Sequence, residues 1–184
     1  MAGNGGSEIP NRHHRALVVY NGPSQQEFRG LLRSVVTVAC NWGYRDWPCT
    51  DLVAADRLTV AAIVKAGQPQ CRLWTRDSSL PLPLGWSSRP SPGIDSGSLA
   101  VAIALTLAEE VVVIGADGVC GGDHSNLYHY PWHRSPPSER IHLRHRQALI
   151  KVTEENPGRV WVHSQQPVQD LENLATQQVL ALFK

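Results

Sequence analysis

The chain has 184 residues, 42% of them hydrophobic, and a net charge of +1. That length makes one domain with a sizeable core and is cramped for two; so balanced a charge leaves no footprint for nucleic acid or an anionic membrane. No stretch reaches the roughly 18 apolar residues of a membrane span, and the start, Met-Ala-Gly-Asn-Gly-Gly-Ser-Glu, lacks the apolar region of a signal peptide, so a soluble, cytoplasmic protein is expected.

Residues 1 to 14 are rich in Gly, Asn and His and read as a flexible tail, with 15 to 184 as one domain. Ala16 to Tyr20 has the composition of a buried strand and runs into Asn21-Gly22-Pro23-Ser24. Ser24 with Glu27 three residues on is a capping-box pattern, so a short helix is expected there. Strand, glycine turn and helix is an arrangement that cradles phosphate, although the same four residues also make an ordinary turn. Val35 to Cys40 predicts a second strand ending at Asn41, followed by an irregular Trp-rich loop from Trp42 to Thr50. Leu52 to Ala55 predicts a third strand, closing on Asp56-Arg57, and Leu58 to Ala66 a helix ended by Gly67. Gln70 to Thr75 is a fourth strand candidate. From Arg76 to Ile94 the composition turns to Pro, Ser and Gly without periodicity, which reads as a long loop.

The stretch from Asp95 to Gly118 organises the rest. Ser96 or Ser98 can cap a helix, and Gly97 lets a ligand approach its backbone. Leu99 to Ala108 is apolar nearly all round, as suits a helix packed on a sheet, and Val111 to Ile114 is the β-branched run of a buried parallel strand. Gly115-Ala116-Asp117-Gly118 leaves that strand at its carboxyl end, where open α/β sheets bind ligands. A helix N-terminus aimed into the same crevice adds a site for phosphate. A plain helix-strand core unit is the alternative. A second long loop, Val119 to Pro137, carries Asp123, His124, Tyr128, His129, Tyr130, Trp132 and His133; Ser138 can cap a basic helix to about Glu155. Arg159 to His163 is the last strand, and Val168 to Phe183 reads as a final helix. The alternation predicts a single Rossmann-like α/β domain: a mostly parallel sheet of about six strands with helices on both faces.

Val-Val-Tyr-Asn-Gly-Pro-Ser (18 to 24), the strand ending in Cys40-Asn41-Trp42, Asp51-Leu-Val-Ala-Ala-Asp56-Arg57, Ser96-Gly97-Ser98 and Ile114-Gly115-Ala116-Asp117 together resemble the bacterial sialyltransferase fold. The related 6-hydroxymethylpterin pyrophosphokinase-like proteins and, more distantly, animal-type sialyltransferases share that plan. The resemblance spans roughly Ala16 to Ser164. It implies a transferase using a CMP-sugar donor and a glycan or small-molecule acceptor, without a metal or other cofactor. It puts Asn21, Gly22 and Ser24 at the donor's phosphates and ribose, Asn41 at a second donor contact, and Ser96, Gly97 and Ser98 at the nucleotide turn. Asp117 ends the Gly-x-Asp strand. Tyr128 and Tyr130 fall in the slot of lid tyrosines that contact phosphate, and His129-Tyr130 is similar to a His-Tyr pair of the animal-type enzymes. His142 is the nearest match to the catalytic histidine, with His129 a second candidate. Gln147 stands where animal-type enzymes have a Glu.

Histidine suits a general base because its ordinary pKa lies near 6.5, and tyrosine hydroxyls with helix-end amides suit a departing phosphate. No Asp-x-Asp motif is present to hold a divalent ion. Several residues keep a second reading. His142 and His145 share a helix with Arg140, Arg144, Arg146 and Lys151, which fits a solvated basic face as well as a nucleotide-facing one. Asp123, His124, His129 and His133 include zinc-type ligands, at a spacing that matches no compact motif. Tyr128, Tyr130 and Trp132 can pin the loop to the core, and Asp117 can cap a neighbouring loop. The four cysteines, Cys40, Cys49, Cys71 and Cys120, form no C-x-x-C pair and are expected as reduced thiols. Two alternatives stand beside sialyl transfer: pyrophosphoryl transfer from ATP to a pterin, with Asp56 and Asp117 holding magnesium, and a non-catalytic binding or structural module on the same fold. Oligomeric state is open.

Overall fold

Ala16, Leu17, Val18 and Val19 have no solvent exposure and form the middle of β1 (His13–Val19). A strand apolar on both faces needs cover on both, which a central position in a parallel sheet supplies. The computed structural model describes residues 13–31, 36–76, 81–93, 95–119, 128, 139–165 and 171–184. β1 is followed by β2 (Val36–Cys40), β3 (Asp51–Val53), β4 (Arg72–Arg76), β5 (Trp86–Arg89), β6 (Ala108–Ile114) and β7 (Val160–His163). They form one seven-stranded sheet in the order β5-β4-β3-β2-β1-β6-β7, every pair parallel. The order runs outward from β1 to β5 and then returns to place β6 on β1's other side, so the topological switch point lies at β1.

Side-chain alternation sets the layers. Ala16, Val18, Val111, Val113, Val160 and Val162 face α2 (Ser96–Leu107) and α3 (Glu139–Glu154). Leu17, Val19, Val112 and Ile114 face the opposite side, where Phe28, Trp47 and Val179 of α4 (Thr176–Leu182) close the core. On that same side Ala39, Leu52 and Leu73 pack on Val60 and Ile63 of α1 (Arg57–Ala66). The expected parallel α/β architecture is therefore present, with helices on both faces. Among the described residues no helix is long and apolar enough to cross a membrane.

Several local expectations are corrected. Among the described residues the sheet has seven strands, not about six, because β5 lies inside the Pro-rich stretch expected as a loop. β5 is an edge strand in which only Trp86 is buried and Ser87, Ser88 and Arg89 are exposed, so it carries no apolar signal. His13 and His14, assigned to the tail, open β1 and are exposed; the remaining tail lies outside the described residues. The capping box at Ser24 does not form: Pro23–Phe28 is a 3₁₀ turn that starts after Gly22 without a side-chain cap. α2 is capped by Asp95, not by Ser96 or Ser98. The final helix begins only at Thr176, because the chain before it is extended beside Val162: Glu172 O accepts Val162 N–H and Leu174 N–H donates to Val162 O.

Candidate functional site

The carboxyl ends of β1, β2, β3 and β6 meet the first turn of α2, and most of the predicted site residues gather there. Beyond β1 the chain is stitched to the chain beyond β6. Tyr20 N–H donates to Ile114 O at 2.9 Å and Gly22 N–H to Gly115 O at 2.8 Å. Ser24 N–H donates to Asp117 Oδ2 at 2.7 Å, while Asp117 Oδ1 accepts Gln165 N–H at 2.9 Å. Asp117 is 1% exposed, so one carboxylate joins the segments after β1, β6 and β7 in a setting without competing water. Gly22 is glycine for the same reason: a Cβ there would stand 2.5 Å from Asp117 Oδ2. Gly22 and Ser24 are two of the residues expected at the donor's phosphates and ribose, and their backbone amides are hydrogen-bonded within this stitch. Asn21 is buried beside them, and the Ser24 hydroxyl is fully enclosed, with no hydrogen-bond partner among the described residues.

Asn41 ends β2 with φ +51°, in the left-handed region that asparagine tolerates better than most residues. Its Oδ1 accepts the Ser96 hydroxyl at 2.8 Å, and that hydroxyl accepts Ala55 N–H at 2.9 Å. Ser96 thus ties the ends of β2 and β3 to α2. The Asp95 carboxylate accepts Ser98 N–H and the Ser98 hydroxyl, each at 2.7 Å, which places a negative charge at the positive end of the helix. The amides of Ser96 and Gly97 stand in the first turn, where no helical carbonyl reaches them. Gly97 lies against the Tyr20 ring: a Cβ on Gly97 would be 2.5 Å from the phenol oxygen. Cys40 lines the floor, its thiol pushed up by burial and then by Asp95.

His142, the predicted base, is half-buried in the first half of α3, edge-on to His145 at 6.5 Å between ring centroids. Its ring lies over Gly118, with Cε1 3.9 Å from where a Cβ on Gly118 would stand. Exposed Arg140 and Arg144 carry the solvated basic face, so His142 is separated from it and held against the carboxyl end of β6. Tyr128 is not in the crevice cluster. Its hydroxyl donates to Asp46 Oδ2 at 2.9 Å, and its side chain packs against the core cluster that contains Ala39, Trp42 and Leu52. Burial, and then that bond to a carboxylate, push the phenol up. His129 and Tyr130 lie outside the described residues, as do Asp123, His124 and His133 of the zinc-type cluster. Among the described residues no group of three or more His, Cys, Asp or Glu is placed to hold a metal ion.

Two residues of the crevice were missed from sequence. Asp95 had a signal, since an aspartate directly before Ser-Gly-Ser is a preferred N-cap. Tyr20 had none, because only the packing of β1 against α2 brings its ring over Gly97. Compared with protein-family models, with curated proteins and with solved structures, this chain finds no match in any of the three.

Proposed function

We propose that the crevice binds a nucleotide and that the chain is a metal-independent glycosyltransferase of sialyltransferase type, with a CMP-sugar as donor. The observation that carries the reading is His142 held against Gly118 at the carboxyl end of β6, on the crevice that an α/β switch point offers to ligands. The donor class rests on the resemblance of Asn21-Gly22-Pro23-Ser24, Asn41 and Ser96-Gly97-Ser98 to that family. In the reaction, His142 takes the proton of the acceptor hydroxyl as its oxygen bonds to the anomeric carbon. The bond to the CMP phosphate breaks, and CMP leaves with the electron pair. Positioned base catalysis of this kind contributes roughly 10² to 10⁴ in rate. With the Gly22 and Ser24 amides occupied, the first-turn amides of Ser96 and Gly97, with Asn41 beside them, are the groups proposed to meet phosphate and ribose.

A second reading has an observation in its favour. Because the Gly22 and Ser24 amides are used within the fold, a non-catalytic module would also suit this switch point. The pterin pyrophosphokinase alternative is less favoured: both oxygens of buried Asp117, one of its two proposed magnesium ligands, accept amides, while exposed Asp56 caps α1 through Oδ1. The test is thermal stabilisation by CMP, CDP, UDP, GDP and ATP, each with and without magnesium, since a ligand of the native state raises stability by RT ln(1 + [L]/Kd). The expected result is a magnesium-independent shift with CMP, retained in His142→Ala while turnover of a CMP-sugar falls at least about a hundredfold. Stabilisation of both proteins without turnover by either would favour the module, and silence across the panel would remove the nucleotide reading.

A further inference from the structure

At the end of the sheet opposite the crevice, two thiols that pack against the core and that the proposed reaction does not use meet each other. β3 and β4 pair with Asp51 opposite Arg72, and Arg72 N–H donates to Thr50 O at 3.1 Å, which brings the residues just before both strands side by side. Cys49 and Cys71 are among them. Their sulfurs are 3.8 Å apart, Cys49 donating to Cys71, and both side chains are partly exposed. The surroundings are well anchored: fully buried Asp51 accepts Arg72 Nη2, Trp74 Nε1 and the Thr50 hydroxyl, each at 2.8 Å. A disulfide needs the sulfurs at about 2.05 Å, so closure asks for an approach of under ~2 Å, within reach of rotation about two Cα–Cβ bonds.

We propose that Cys49 and Cys71 form a reversible disulfide within the chain by exchange with a low-molecular-weight disulfide of the glutathione type. The Cys71 thiolate attacks one sulfur of the small disulfide, whose S–S bond breaks. One small thiolate leaves and takes up a proton, and Cys71 is left as a mixed disulfide. Cys49 gives its proton to solvent and attacks Cys71 Sγ, forming the Sγ–Sγ bond and releasing the second small thiol. Two protein thiols are oxidised by two electrons and one small disulfide is reduced to two thiols. The order of attack follows from the environment. The hydrogen donated by Cys49 holds Cys71 below the ordinary thiol range, with the Arg72 guanidinium adding to it against burial and Asp51, whereas Cys49, as donor and by burial, is pushed up.

The experiment equilibrates the folded wild-type chain in graded mixtures of reduced and oxidised glutathione, quenches with acid, alkylates the remaining thiols and maps the peptides by mass. Two of the four thiols are expected to disappear together, from peptides recovered joined through Cys49 and Cys71, and to return on adding reductant. The pair should close at least tenfold more readily in the folded chain than in denaturant. Cys49→Ser should stop with glutathione on Cys71, and Cys71→Ser should leave Cys49 alkylatable at ratios that oxidise the wild type. The wild-type result stands alone if either variant fails to fold. Alkylation of both cysteines in fully oxidised buffer would overturn the proposal, as would joining to Cys40, Cys120 or another chain, or equal closure in denaturant. The outcome is independent of what the crevice binds.

Discussion

Asp117 concentrates at one buried carboxylate the cohesion of three chain segments. Each of its oxygens accepts one backbone amide, from Ser24 and Gln165, and a truncated side chain would leave both donors unsatisfied where water is excluded. Asp117→Ala should lower the unfolding free energy by about 3 kcal/mol, read from denaturant unfolding. A loss under about 0.5 kcal/mol, the range of an ordinary surface change, would show that the stitch is dispensable. Tyr128 offers a pH-dependent counterpart. Its phenol is raised in the folded state, first by burial and then by its bond to Asp46, so the neutral form is the one the fold favours. The stability it adds is complete below the ordinary tyrosine pKa near 10 and fades as pH climbs from there towards the folded value. Tyr128→Phe should cost about 1 kcal/mol at neutral pH, and the gap to wild type should narrow on the alkaline side. Stability curves that stay parallel through the alkaline limb would contradict this account.

For the helices, the decisive feature is the charge at the start of α2. Asp95 supplies the cap but also sets a carboxylate where the macrodipole would otherwise favour an anion. Asparagine caps as well as aspartate without the charge. Asp95→Asn should therefore leave the melting temperature nearly unchanged and tighten CMP roughly two- to fivefold in calorimetric titration, the change expected for one charge at a helix end. An unchanged Kd would mean that the phosphate sits away from α2. The start of α2 also marks the limit of local sequence reading. The helix body and the following strand were legible, because a run from Leu99 to Leu107 that is apolar but for Thr106, and then a β-branched run, have few other uses. The cap was misread, because serine and aspartate both suit the position and only the pull of Ala55 and Asn41 on Ser96 assigns its hydroxyl elsewhere.

Over the whole molecule, β1 joins the two halves of the sheet, paired to β2 on one side and to β6, some ninety residues later, on the other. Its amides and those of β6 should exchange with solvent only through global unfolding, whereas Trp86–Arg89 on the β5 edge, with one buried side chain among four, should exchange through local opening. Equal protection of β5 and β1 in native-state hydrogen exchange would refute that division. The class of fold could be read from the sequence alone because buried parallel strands need continuous apolar runs, and Ala16–Val19 and Val111–Ile114 state that requirement without reference to any neighbour. That His142 lies on the helix before the last strand was legible too, whereas its half-buried place against Gly118, apart from exposed Arg140 and Arg144, was not. What only the tertiary structure decided is how hydrogen bonds and close approaches are distributed: Asp117 as a clamp, Gly22 and Gly97 as contact points for the β6 loop and Tyr20, β5 as a strand, and Cys49 beside Cys71. Each depends on residues far apart in sequence, and donors, acceptors and small side chains carry no mark of the distant partner they meet.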